Sequence, residues 1–253
     1  FSLQSASSNV QHLIFNGMLI GDMHYGFKIE FNKIDSNQNR NIIIPQIDYF
    51  LNKALIVTID KKISRSSKGL EISQKEIEDL KVLFTKTNIS GAVSDPDEKA
   101  YPLPTDYYHY LKGVVATTKN TCASTARVYI KTHNDEFKND PNYCSNFEWG
   151  YVNAIIRGTN INLYTDESFD LGALTLYYVK KHPYMHNAEK YNIAGYKTPS
   201  GTMLTGHQDC ILPDNICNEI ITLAVALASV AVQTSDNRRL DLAVNNNNSL
   251  NND

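Results

Sequence analysis

The residues best suited to chemistry lie between His182 and Cys217. His182 and His186 have the spacing of two metal ligands on one helix face, and His207, Cys210 and Cys217 follow. Zinc accepts such nitrogen and sulfur ligands in tetrahedral geometry. Pro183 stands between the two histidines, however, and the segment leaves a predicted strand, so helical i,i+4 geometry is not expected. No Glu completes an HExxH arrangement. The reading is ordinary histidines and buried thiols, with no metal. Cys122 and Cys144 have distant histidines that could serve as the base of a nucleophilic cysteine, but any chain this long offers such pairs, so no such nucleophile is expected. Asp135-Glu136 and Asp166-Glu167 fit solvated turns better than acid/base pairs. GxGxxG, Walker and GxSxG patterns are absent. No catalytic residue and no cofactor are expected.

Composition points the same way. The chain has 253 residues, 42% hydrophobic and 20% charged, which suits a folded core. A net charge of −3 gives no global attraction to nucleic acid. The basic cluster Lys61, Lys62, Arg65 and Lys68 reads as a solvated face. Four irregularly spaced cysteines without a CxxC pair read as reduced thiols. Phe1 to Val10 lacks the pattern of a signal peptide, and the apolar run Ile220 to Val232 is shorter than a bilayer span, so a soluble protein is expected.

The elements that would position these residues fall in three blocks. Val10–Lys33 and Pro45–Ile63 read as helices, with Gly17 and Gly21 weakening the first. Ser73 and Glu76 form a capping box, with Ile72 and Ile77 as its staple, so a short helix to about Lys86 is predicted. Gly91 to Lys99 reads as a domain boundary. Thr105 or Asp106 could cap one helical turn through Tyr110. The period then changes to two, and 114–118, 126–131, 150–156, 161–164 and 174–179 read as strands, with Arg157-Gly158-Thr159-Asn160 as a hairpin turn. A long loop spans 187–209. Pro213–Ser235 is a final helix with an apolar seam at Leu212, Ile216, Ile220, Leu223, Leu227 and Val230.

This order predicts an α+β fold: a helical bundle domain with an inserted antiparallel β domain, sandwich-like. The bundle would comprise residues 1–90 and 210–240, the β domain 91–209, and the extended tail 241–253. Helices before Lys86 would pack with the final helix.

Three stretches resemble bacteriophage head-to-tail connector proteins, the portal adaptor or ring proteins of short-tailed, crAss-like phages. They are Ile44-Pro45-Gln46-Ile47-Asp48-Tyr49-Phe50-Leu51-Asn52-Lys53-Ala54, then Leu103-Pro104-Thr105-Asp106-Tyr107-Tyr108, then Leu174 to Pro183 followed by Leu212-Pro213-Asp214 and the helix after it. The resemblance implies a virion structural subunit in a homo-oligomeric ring, a dodecamer, at the portal vertex. Its partners would be the portal and other tail or ring proteins. DNA would pass through the channel without sequence-specific binding, and no membrane would be involved. The long loop and the asparagine-rich tail depart from the short members of that family.

Tyrosine occurs 15 times and joins an apolar ring to a hydrogen-bonding tip, which suits interfaces. Candidate assembly contacts are Tyr107, Tyr108, Tyr177, Tyr178, Tyr196, Ile220, Leu223, Leu227 and Asn245. The loop and the tail would reach neighbouring subunits. The competing readings are a host-surface or glycan-binding virion protein, whose tyrosines would stack on sugars, and a zinc-dependent hydrolase.

Overall fold

The computed structural model describes residues 17–34, 42–67, 78–95, 97–131, 145–198 and 200–231. The capping box at Ser73 and Glu76, the pair Asp135-Glu136, Cys144, Asn245 and the tail lie outside the described residues. Two compact units divide the chain, Phe1–Val82 with Pro183–Asp253, and Leu83–His182.

In the first unit, α1 spans Ile20–Ile34 and buries Ile20, Met23, His24, Phe27 and Phe31, one stripe at helical spacing. The rings of Phe27 and Phe31 stack at 5.8 Å. Residues 10–16 of the expected helix lie outside the described residues, and 17–19 are not helical. Gly17 pairs with Pro213 in a bridge, and the Ile20 N–H donates to Asp209 Oδ1 at 2.8 Å. A side chain from the far end of the chain thus satisfies one of the helix's first amide groups. The two glycines differ in kind. A Cβ on Gly17 would lie 2.1 Å from the Cys210 carbonyl oxygen, whereas one on Gly21 would meet nothing within 4 Å.

Helix α2 spans Ile44–Ser67 with Pro45 in its first turn, where a missing N–H costs nothing. Ile47, Leu51, Ala54, Leu55, Thr58 and Ile59 form its buried side. The last helix includes Asp214–Ala231 and buries Ile216, Cys217, Ile220, Ile221, Ala224, Val225 and Ala228. Ile221 lies 3.3 Å from the Cβ position of Gly26, which brings this helix against α1. Lys62 Nζ ties it to α2, standing 3.3 Å from Asp79 Oδ2 and 3.7 Å from Glu219 Oε2, while Asn215 Nδ2 donates to Asp79 Oδ1 at 3.0 Å.

These helices do not make a helical bundle domain, which corrects the expected fold class. The reason lies on α2. Its polar inner positions are occupied by the chain around Met185 to Tyr196 rather than by a further helix. That chain carries the ribbon of β9 (His186–Asn187) with β12 (His207–Gln208), the short helix α3 (Ala188–Tyr191), and the ribbon of β10 (Tyr196–Lys197) with β11 (Met203–Leu204). The loop 187–209, expected with the β region, therefore belongs to the helical unit.

The second unit is one curled mixed sheet, not an antiparallel sandwich. Its strands are β1 (Phe84–Ile89), β2 (Ala92–Asp95), β3 (Glu98–Pro102), β4 (Tyr107–Lys119), β5 (Cys122–Ile130), β6 (Tyr151–Arg157), β7 (Asn160–Tyr164) and β8 (Asp170–Lys180). They lie in the order β1-β8-β4-β5-β6-β7-β3-β2. β5 and β6 run parallel, in register Arg127 to Tyr151 and Ile130 to Ala154. A hairpin cannot join parallel neighbours, and β5 and β6 are separated in sequence by residues 131–150. The register of β4 on β8 shifts at Tyr107/His109, Tyr110/Lys112 and Val115/Thr117. Bulges of this kind bend a strand and increase its twist, so one sheet can wrap its own core. That core includes Tyr101, Val115, Val128, Val152, Ile161, Leu163, Phe169, Leu174, Leu176 and Tyr178.

Two local expectations fail for related reasons. Phe84, assigned to a helix, opens β1 and pairs with Val179. The β-branched and aromatic content of Phe-Thr-Lys-Thr-Asn-Ile is satisfied by that edge. The helical turn at Thr105–Tyr110 is instead a turn from Pro104 to Tyr107 that leads into β4. Asp106 does not cap a helix; it accepts the Tyr178 hydroxyl at 2.8 Å. The turn Arg157–Asn160 does close the β6–β7 hairpin, with Gly158 at φ +57.

Candidate functional site

An open groove of about 840 Å³ lies on the solvent face of β4, β5 and β6. Strand alternation builds it. On β5, Ala126 and Val128 turn into the core, so Thr125, Arg127 and Tyr129 face out, and Lys131 continues the row just past the strand. Lys112 and Val114 of β4 form one side, and Tyr151 and Asn153 of β6 the other. β4 comes close to β5 at Gly113, where a Cβ would stand 2.9 Å from Val128 Cβ, and Tyr110 donates its hydroxyl to the Val128 carbonyl at 2.6 Å. Burial pushes the Tyr110 pKa up to about 12, and the nearby Tyr107 and Tyr129 add to the rise, against a backbone hydrogen bond that lowers it.

One wall of the groove is a tight loop. Asn146 and Tyr151 exchange backbone hydrogen bonds at 2.9 and 3.2 Å, Asn146 Oδ1 accepts the Trp149 N–H at 2.9 Å, and Gly150 takes φ +62. The Gly150 carbonyl then accepts the Arg127 N–H at 2.8 Å and pins the loop to β5. This fold-back carries Trp149 outward, where it is 81% exposed. Tyr129 and Tyr151 meet edge to face at 6.4 Å. Among the described lining residues, Lys112, Arg127 and Lys131 carry positive charge and no residue carries negative charge. The arrangement offers flat apolar surfaces beside cations, which suits an anionic ligand with rings.

A second polar centre lies in the helical unit and is buried. Asp48, 0% exposed, places Oδ1 2.7 Å from His24 Nε2, and its Oδ2 accepts the Tyr196 hydroxyl at 2.6 Å and the Asn187 N–H at 3.2 Å. Asn52 donates to the Asp48 and Met185 carbonyls, both at 2.7 Å, and accepts the Met185 N–H at 2.9 Å. Burial, then the bond to Asp48, hold the Tyr196 hydroxyl well above the ordinary tyrosine range. This network fastens the long loop to α2.

The residues expected to make assembly contacts divide by burial. Tyr178 is 4% exposed, lies 5.8 Å from the Tyr107 ring and bonds Asp106; burial and then Asp106 push its pKa up to about 12. Ile220 is fully buried in its own unit. Neither is free to meet a neighbour, because each fills the core of its own unit. Leu223 and Leu227 are half-buried flanks of the last helix, so its buried stripe is turned from the predicted seam toward Cys217, Ile221 and Ala224. Tyr107 and Tyr108 are half-buried, Tyr177 is at the surface with Lys112 Nζ 6.0 Å from its ring centroid, and Tyr196 is spent on Asp48.

The candidate metal ligands do not gather. His207 Nδ1 pairs with Glu189 Oε1 at 2.9 Å, and His186 lies against the Tyr184 and Thr205 carbonyls. Cys210 and Cys217 are buried neighbours, and Cys217 Sγ lies 3.4 Å from the Leu212 carbonyl. The hydrogen bond with Cys217 and burial push the Cys210 thiol far up. Among the described residues, no three His, Cys, Asp or Glu side chains could share a metal ion.

Sequence reasoning missed the groove. Its signal was the alternation Arg127, Tyr129, Lys131 within a predicted strand. It also missed Asp48 and His24, 24 positions apart, for which no local signal exists. Compared with protein-family models and with curated proteins, the chain matches none.

Proposed function

We propose that the chain is a structural subunit of a bacteriophage head-to-tail connector, one copy in a homo-oligomeric ring that joins the portal to the tail around the DNA channel, with no catalytic role. The observation that carries this reading is apolar surface on the helical unit. On the last helix Val230 is 62% exposed, and Leu223 and Leu227 are half-buried. Tyr25 and Ile29 of α1 and Tyr49, Ile56 and Val57 of α2 are exposed as well. Surface of this kind marks contact with other chains. A ring needs heterologous contacts that close, formed by different faces of one subunit, and helices exposing more than one apolar face supply them. The three stretches that resemble connector proteins are what suggest this particular assembly.

Electron microscopy of the native particle tests the proposal. Many copies about one axis between portal and tail are expected. A single copy per particle, a trimer at a tail tip, or insertion of the Asp214–Ala231 helix into lipid would overturn it.

A further inference from the structure

Trp149 is the chain's one tryptophan, and the fold spends a tight loop on holding it in solvent beside Arg127, Tyr129 and Lys131. We propose that this groove binds a short stretch of single-stranded nucleic acid without regard to sequence. The inference stands apart from the ring assignment, since a single copy holds the whole site.

Charge selects an anion. Lys112, Arg127 and Lys131 line the groove, and no carboxylate does among the described residues. The chain as a whole carries −3, so the attraction is local. Spacing selects a strand. Arg127, Tyr129 and Lys131 follow one another along one face, about 7 Å apart at two residues of strand rise. Cation, ring, cation repeats the alternation of phosphate, base and phosphate along an extended chain. Trp149 and the Tyr129–Tyr151 pair supply stacking surfaces, and every base has a face to stack, which makes such binding indifferent to sequence.

Two other ligand classes fit less well. A duplex hides its base faces within the stack, so Trp149 would have nothing to stack on. A glycan presents many hydroxyl donors, and no carboxylate lines the groove among the described residues to accept them.

The lone tryptophan makes the test direct. The full chain is titrated with a dT oligonucleotide while Trp149 fluorescence is followed. Quenching is expected, with affinity falling as salt rises. Labelled dT, read by anisotropy, then ranks variants whose circular dichroism matches the parent. Arg127→Gln and Trp149→Ala should each weaken binding roughly tenfold, the size of one lost stacking or phosphate contact. Lys112→Gln serves as a further variant if either misfolds. No binding of dT at low salt overturns the proposal, as does binding that both substitutions leave unchanged. Tighter binding of a duplex, a heparin fragment or polyglutamate than of dT also overturns it, and reassigns the groove to that class.

Discussion

Tyr196 donates a 2.6 Å hydrogen bond to Asp48 Oδ2 across 148 positions of sequence. With His24 on the other carboxylate oxygen and the Asn187 N–H beside Tyr196, that bond ties the two chain segments of the helical unit to one buried charge. Removing the carboxylate leaves three partners unpaired at once. Asp48→Ala should therefore cost about 3 kcal/mol or more, and Tyr196→Phe about 1–2 kcal/mol. Urea unfolding measures both. Equal stabilities for Asp48→Ala and the parent would show that the hub holds nothing.

High pH should loosen the sheet unit. Tyr110 and Tyr178 are each raised from 10.0 to about 12, mainly by burial. The folded state thus keeps protons that the unfolded state sheds above pH 10. The stabilisation is full below pH 10 and is lost as pH climbs toward 12. Unfolding midpoints taken between pH 9 and 12 should fall across that window. Tyr178→Phe should shallow the fall, at about 1 kcal/mol of stability at neutral pH for the bond lost to Asp106. An unchanged slope in that variant would contradict the assignment.

The two glycines near the start of α1 should respond oppositely to alanine. At Gly17 a Cβ would collide with the Cys210 carbonyl at 2.1 Å, and backbone cannot step aside cheaply. A loss of about 2 kcal/mol or more is expected there. At Gly21 the space is open, and the lower entropy of the unfolded chain should yield a gain of roughly 0.5 kcal/mol. Thermal melts of the two variants give the signs.

Exposed apolar positions on α2 test the assembly reading. Ile56 is 51% exposed, so Ile56→Glu should change the stability of the isolated subunit by less than about 0.5 kcal/mol. Its incorporation into particles should drop sharply if that surface is covered by a neighbour. Normal incorporation of Ile56→Glu and of Tyr25→Glu would remove this surface from the interface.

Periodicity made much of this protein legible. Helical spacing at Ile47, Leu51, Ala54 and Leu55 marked α2, and alternation at Ala126 and Val128 marked β5, because each pattern is imposed by the geometry of a single element. Turn chemistry at Gly158 marked the β6–β7 hairpin for the same local reason. What failed was pairing. Whether β5 meets β6 parallel or antiparallel, whether Phe84 continues a helix or finds Val179, and whether Asp106 caps a helix or accepts Tyr178 depend on partners far along the chain. The two sites divide in the same way. The row Arg127, Tyr129, Lys131 was written in one strand, but its groove exists only once Trp149 is folded back beside it. Asp48 looked like one more polar residue on a helix. Burial made it a hub, because a charge taken out of water must be met by donors, and only the tertiary fold brings His24, Asn187 and Tyr196 to it.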